Sequence, residues 1–206
     1  MIRSLNPGRI VEIGSGFSSF LMLDVNDRFL GNSVDFTFID PNPQRLLAGL
    51  NDDDRVTARI MPKPIQEVPV GIVDELGLGD ILFVDSSHVS RIGSDVNHIL
   101  FNLLPRLAVG VHVHIHDIYY PFEYPQEMVL GGCVVNEAYL LRAFLQHNSD
   151  FEITIWNDFL ARFHAEKVDS LMPLASRHSG AALWLRRTTT SFAEESGIGE
   201  TEGCPA

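Results

Sequence analysis

Two stretches of this chain have residue types and spacing suited to chemistry on a small molecule. In the first, the apolar run Arg9-Ile10-Val11 passes through Glu12 and Ile13 into the turn Gly14-Ser15-Gly16, and a second run, Phe36-Thr37-Phe38-Ile39, closes on Asp40. Glycines let the backbone approach a ligand closely, and a carboxylate at the end of a second strand can accept hydrogen bonds from both hydroxyls of a ribose. Asp40 follows Gly16 by about two dozen residues, the length of a turn, a helix and the next strand. The pair therefore suggests an adenosine-containing ligand. Ser19 occupies the third glycine position of the dinucleotide fingerprint, which weakens a nicotinamide reading. Glu12 would repel a pyrophosphate but suits a ligand carrying an ammonium or sulfonium. The plain alternative is an ordinary tight strand-to-helix turn of an α/β protein.

The second stretch is split between two strand ends, Leu82-Phe83-Val84-Asp85-Ser86-Ser87-His88 and His112-Val113-His114-Ile115-His116-Asp117. In doubly wound sheets ligands gather outside the carboxyl ends of the strands, so Asp85, His88, His116 and Asp117 should lie beside the same crevice as the glycine turn. Two kinds of chemistry fit them. Asp85, His116 and Asp117 could hold a divalent cation such as magnesium, which would lower the pKa of an acceptor hydroxyl. Alternatively His88 takes the proton directly as a general base, with Asp85 and His116 beside it. His112 and His114, deeper in the strand, are expected to hydrogen-bond within the fold, and Asp85 and Asp117 could merely orient helix N-termini or loops.

The elements that must position these residues alternate apolar β-branched runs with longer helical patterns, the mark of a parallel sheet covered on both faces. Strands are expected at Ile10 to Ile13, Asp35 to Ile39, Val56 to Ile60, Asp80 to Val84 and Val109 to Ile115. Phe151 to Trp156 and Ala181 to Leu185 read as an antiparallel pair at one edge, joined by a loop. Helical spacing covers Ser18 to Leu30, Gln44 to Leu50, Ser94 to Leu104 and Asn136 to Gln146. Residues 1–187 read as one domain, and 188–206, rich in Thr, Ser, Glu and Gly, as a disordered tail.

Fifteen basic against twenty-seven acidic residues give a formal charge of -12, which argues against broad attraction to nucleic acid or anionic membrane. Cys133 and Cys204 suggest neither a disulfide framework nor a structural zinc site, and both read as free thiols. With no signal-peptide or membrane-spanning pattern, the default location is the cytoplasm.

Glu12-x-Gly14-x-Gly16 with Asp40 resembles the cofactor site of class I S-adenosylmethionine-dependent methyltransferases. That resemblance implies a Rossmann-like seven-stranded, mostly parallel sheet with helices on both faces and an antiparallel edge strand. Members commonly carry N-terminal helices over the substrate, whereas nine residues precede Ile10 here, so a cap is either missing or supplied by another chain. Catechol-type metal-dependent O-methyltransferases match at Asp85 and Asp117. His88 stands at their catalytic lysine position, and Ile118 where their asparagine ligand would be. The segments Asp80 to His88, Gly93 to Asn97, Leu104 to Leu107, His114 to Ile118, Pro121 to Pro125 and Asn136 to Leu141 look like the methyltransferase-24-like bacterial family, over most of residues 9–187.

This resemblance implies methyl transfer from S-adenosylmethionine to a small-molecule acceptor, with O-methylation favoured. Glu12, Gly14, Ser15 and Gly16 would contact the methionine part of the cofactor, Asp40 the ribose and Gln66 the adenine, with Asp85 near the methyl-transfer centre. Phe122, Glu123 and Tyr124 would line the acceptor pocket, or form a rigid connector with an aromatic plug. Asn136 would reach the acceptor, or serve as an ordinary helix N-cap, with Glu137 opening the same helix. The rival readings are an NAD-dependent oxidoreductase and a non-catalytic S-adenosylmethionine-binding module. Self-association is left open.

Overall fold

The computed structural model describes residues 1–175, 177 and 179–189. Cys204 and nearly all of the expected tail lie outside the described residues. Seven strands, β1 (Arg9–Ile13), β2 (Asp35–Ile39), β3 (Arg59–Met61), β4 (Ile81–Val84), β5 (His112–His116), β6 (Phe151–Trp156) and β7 (Ala182–Arg187), form one sheet in the order β3-β2-β1-β4-β5-β7-β6. Strands β1 to β5 pair in parallel, and β7 runs antiparallel to both of its neighbours, β5 and β6. The helices among the described residues are α1 (Ile2–Leu5), α2 (Phe17–Phe29), α3 (Gln44–Gly49), α4 (Asp52–Thr57), α5 (Asp95–His98), α6 (Gln126–Leu130), α7 (Glu137–Leu145), α8 (Asn157–Phe163) and α9 (Ala165–Leu171).

Alternation along each strand divides the core into two layers. Val11, Ile13, Leu82, Val84, Val113 and Ile115 pack on one face with Ile99, Leu100, Leu103 and the α7 residues Ala138 and Leu141. Ile10, Phe36, Phe38, Ile81, Phe83 and Trp184 pack on the other with Met22 and Leu23 of α2 and Leu46 of α3. Glu12 shares the parity of Ile10 and therefore points beneath α2. His112, His114 and His116 share that same face of β5.

The third strand differs from expectation. Val56 and Thr57 belong to α4, with Val56 86% exposed, and β3 begins only at Arg59. The cause is local: Asn51 caps α4 by accepting from the Asp54 N–H at 2.7 Å, and Asp52, Asp53 and Asp54 place negative charge in its first turn. That signal outweighs two β-branched residues. The β6–β7 connection also differs, being two helices, α8 and α9, rather than a loop. The helix expected over Ser94 to Leu104 starts as α5, widens to a π-helical turn at Ile99–Leu103 and tightens to a 3-10 turn at Leu104–Arg106. Pro105 has no N–H to continue an α-helical ladder.

Just before β4, the buried Asp80 carboxylate accepts from the N–H groups of Gly8 (2.9 Å), Arg9 (2.8 Å) and Gly77 (2.9 Å). It thereby ties the start of β1 to the start of β4. Hydrogen bonds to a charged acceptor contribute about 1.5–3 kcal/mol each, so Asp80→Ala is expected to lower unfolding free energy by about 3 kcal/mol or more in urea titrations. Ligand binding at the opposite ends of these strands should change little in the folded fraction. Among the described residues, no helix is long and apolar enough to cross a membrane.

Candidate functional site

The carboxyl ends of β1, β2 and β4 are joined edge to edge by backbone bonds from Gly14 N to Ile39 O (2.9 Å) and from Asp85 N to Ile13 O (2.9 Å). They open onto a cleft of about 650 Å3 lined by Gly14, Ser15, Asp40, Gln66, Asp85, Ser86, Ser87 and the Arg91–Asp95 segment, among others. That volume suits a cofactor-sized ligand. Gly14 has φ +85°, and a Cβ there would lie 1.8 Å from the Asp85 carbonyl oxygen. Only glycine fits this close approach. Gly16 has an extended φ, and a Cβ there would meet nothing closer than Arg45 at 3.6 Å.

Asp40 holds the turn in place. Its Oδ2 accepts from the Ser15 N–H at 2.9 Å and the Ser15 hydroxyl at 2.8 Å, and its Oδ1 accepts from Asn42 N–H at 2.7 Å. Gln66 reaches across the cleft edge and donates from Nε2 to Gly93 O at 2.8 Å. A larger groove of about 840 Å3 lies at the opening of β2, beside α2 and α4, and contains no histidine and none of the strand-end residues. It does not share the site's chemistry.

Glu12 stands behind the turn rather than in the cleft. It is fully buried, and its two oxygens accept from the hydroxyls of Ser18 (2.5 Å) and Ser19. The Ser19 hydroxyl also accepts from Gly16 N–H at 3.0 Å. The missing third glycine is thus a serine that links Glu12 to the turn. Burial pushes the Glu12 carboxyl up to about 7, against the opposing effect of the two hydroxyls. A carboxyl raised on folding contributes stability below its unfolded value, near 4.5, and that contribution is lost as pH rises through about 7. Glu12→Gln is therefore expected to exceed the wild type in unfolding free energy at pH 8, by up to about 3 kcal/mol, with a smaller difference at pH 5.

His88 is the hub of the second half of the site. Its backbone is left-handed, φ +58°, and its ring is surrounded by three carboxylates. Nδ1 lies 2.8 Å from Glu137 Oε2, while Nε2 lies 3.3 Å from Asp85 Oδ1 and 3.8 Å from Asp117 Oδ2. Burial alone would lower the His88 pKa, but the hydrogen bonds to Asp85 and Glu137 and the charges of Glu137 and Asp117 raise it to about 10. Three carboxylates favour the imidazolium form of the ring, which has no lone pair to accept a proton and so weighs against the expected general base. For Asp85, burial raises the pKa, yet the His88 hydrogen bond and the neighbouring imidazoles hold it below the ordinary carboxylate value.

The expected metal ligands converge around His88 but do not point at one common centre. Asp85 and Asp117 both face His88 Nε2, and His116 lies 3.7 Å from Asp117 Oδ1 on the other side. Among the described residues, no three His, Cys, Asp or Glu side chains are arranged to hold a metal ion. Carboxylates and an imidazole are ordinary donors for a divalent cation, so it is their arrangement, not their chemistry, that does not fit one.

His114 keeps part of its expected internal hydrogen bonding, with Nε2 3.4 Å from His116 Nδ1, but the Nδ1 atoms of both His112 and His114 are buried without a partner. His114 behaves as a flat aromatic: its ring stacks on Phe83 at 3.9 Å and meets the Trp184 ring edge-on at 4.8 Å. Burial drives its pKa down to about 3, so it is neutral.

The Pro121–Pro125 loop lies outside the residues lining the cleft. Tyr124 is buried, and its hydroxyl accepts from the Ala138 N–H at 2.9 Å. Phe122 packs against Trp156 with ring centroids 4.6 Å apart, and Glu123 accepts from the Tyr139 hydroxyl. This geometry matches the connector with an aromatic plug. Asn136 occupies the N-cap position of α7 without capping it, its side chain instead pairing with the backbone of Ser90 at 2.6 and 3.2 Å. For Glu137 the sequence offers its place at the opening of α7 but not its partner. Its partner His88 is 49 residues away, and no local pattern announces that contact.

A curated protein of Archaeoglobus fulgidus described as uncharacterized is 37% identical over 70 residues, a stretch that covers 34% of this chain and 31% of that protein. Among solved structures, an apo form of CmcI superposes with a TM-score of 0.54 at 16% identity, covering 92% of this chain and 68% of its own. A form of CmcI with Mg and SAM gives 0.53 at 16% identity, covering the same shares. The mitomycin 7-O-methyltransferase MmcR gives 0.50 at 17% identity, covering 89% of this chain and 50% of its own. At these identities the likeness is one of fold. A family model described as a methyltransferase domain matches residues 11–118, a span that runs from the glycine turn past Asp117. With just over half its length matched in this way, the chain belongs to the methyltransferase-24 family of methyltransferase domains.

Proposed function

We propose that this chain transfers a methyl group from S-adenosylmethionine to an oxygen of a small-molecule acceptor. The observation that carries the reading is the Gly14 turn packed against Asp85, which sets a cofactor-sized cleft directly beside the carboxylate-clamped His88. In this reading Gly14, Ser15 and Gly16 cradle the methionine part, Asp40 offers its remaining lone pairs to the ribose, and Gln66 stands at the adenine end. Glu12 acts from behind the turn by fixing Ser18 and Ser19.

When bound, S-adenosylmethionine supplies an electrophilic methyl carbon on a sulfonium. The protein then has to align an acceptor oxygen with that carbon and favour the oxygen's anionic form. An acceptor oxygen that replaces Asp85 or Asp117 at His88 Nε2–H would accept a hydrogen bond from the imidazolium, which favours loss of the hydroxyl proton to solvent before transfer. Until then Asp85 and Asp117 hold the ring for that task.

Two measurements test this mechanism. Methyl transfer across a panel of phenols, alcohols and amines, followed by release of S-adenosylhomocysteine, should survive strong chelation; loss on chelation with recovery on adding Mg would restore the metal reading. In a pH profile of kcat/KM, a required imidazolium predicts activity that falls as pH rises through about 10, whereas a His88 base predicts a rise over the same range. Transfer to RNA instead of the panel would overturn the small-molecule acceptor, and cofactor binding without turnover would favour the non-catalytic module.

A further inference from the structure

The loop that carries His88 is held from outside the cofactor cleft by the start of α7. The N–H groups of Asn136 and Glu137 both donate to the His88 carbonyl, at 3.0 and 3.2 Å. The Asn136 side chain grips both backbone groups of Ser90. The Glu137 carboxylate, 2% exposed, divides itself between His88 Nδ1 at 2.8 Å and the Ser86 hydroxyl at 3.3 Å.

Each contact bears on the orientation of one ring. A left-handed backbone at a residue with a side chain is costly and persists only where surrounding contacts impose it; here the two N–H bonds to the His88 carbonyl do so. With the backbone set, one carboxylate on Nδ1 decides which way Nε2 faces. In this case Nε2 faces Asp85, which lines the cleft, and Asp117.

We infer that Glu137 is a positioning residue of the methyl-transfer site, fixing the His88 ring through Nδ1 so that Nε2 is presented beside Asp85 at the mouth of the cofactor cleft. This rests on the methyltransferase reading. Glu137 itself is buried behind His88, and its role runs entirely through that ring.

The test compares Glu137→Ala with Glu137→Gln, whose amide oxygen can still accept from Nδ1–H. Glu137→Ala is expected to lose about 10- to 100-fold in kcat, while Glu137→Gln recovers most of it. Acceptor KM and S-adenosylmethionine affinity should stay within about twofold in both variants, because the only cleft-lining group that meets Glu137 is the Ser86 hydroxyl, through a long 3.3 Å bond. In 15N-edited NMR spectra, the His88 Nδ1 proton should give a protected downfield signal in the wild type and in Glu137→Gln and disappear in Glu137→Ala.

A parallel loss of kcat, cofactor affinity and thermal stability in both variants would make Glu137 a structural staple and overturn the inference. Wild-type kcat in Glu137→Ala would overturn it as well. Failure of the wild-type protein to bind S-adenosylmethionine would overturn the methyltransferase reading, whereas a ring proton that survives Glu137→Ala would overturn this inference alone.

Discussion

Gly14→Ala is expected to destroy cofactor binding and to destabilise the fold by about 3 kcal/mol or more. An L-residue at φ +85° costs about 1–2 kcal/mol in backbone strain alone. The larger effect is steric: the new Cβ falls 1.8 Å from the Asp85 carbonyl oxygen, a backbone atom that cannot swing aside. Relieving that overlap pulls the end of β1 away from β4 and weakens the 2.9 Å bond from Asp85 N to Ile13 O. The cleft wall then opens where the turn and Asp85 meet. Gly16→Ala is the matched control, since its φ is extended and its Cβ would have room. Urea unfolding of both variants should separate them, with Gly16→Ala within about 1 kcal/mol of wild type in stability. Equal damage from the two substitutions would remove Gly14 from its special place.

His88→Ala is expected to have the second large effect, on both stability and turnover. Removing the ring leaves Glu137, Asp85 and Asp117 facing one another without their shared cation, and Glu137 is only 2% exposed. Breaking a buried pair by deleting one partner costs about 3–5 kcal/mol; partial exposure of the two aspartates places this site toward the lower figure. Methyl transfer should fall at least about 100-fold while S-adenosylmethionine still binds to the folded protein. A pH dependence follows from the raised value. The clamp stabilises fully below the unfolded histidine value near 6.5 and is lost as pH rises through about 10, so wild type and His88→Ala should converge in stability at alkaline pH. A constant difference from pH 6 to pH 10 would contradict the carboxylate clamp.

Much of the scaffold was legible because local signals and tertiary demands agree. β2 and β6 fall where their alternation places them, and α2 begins directly after the glycine turn. The convergence of Asp85, His88, His116 and Asp117 followed from one general rule, that parallel strands deliver their carboxyl ends to a common edge. β3 failed because a cap and an acidic first turn make a helix of residues that a β-propensity reading assigns to a strand. Nor does the sequence display what depends on distant neighbours. Glu12 reads as a cleft residue until its parity sets it under α2 with Ser18 and Ser19. His88 reads as a base until the ring acquires Glu137 from another helix. The histidines of β5 look alike in sequence, yet Phe83 and Trp184 turn His114 into a neutral stacking group, while His116 remains at the strand end beside Asp117.

The central claim is that the Gly14 turn, Asp40 and Asp85 form a cleft for a sulfonium-bearing adenosine cosubstrate. Calorimetric titration of the wild-type protein with S-adenosylmethionine and, separately, with NAD tests it most directly. Saturable one-site binding of S-adenosylmethionine, absent in Gly14→Ala and not reproduced by NAD, is the predicted result. Binding of NAD in its place, or no binding of S-adenosylmethionine by the folded protein, would contradict the account.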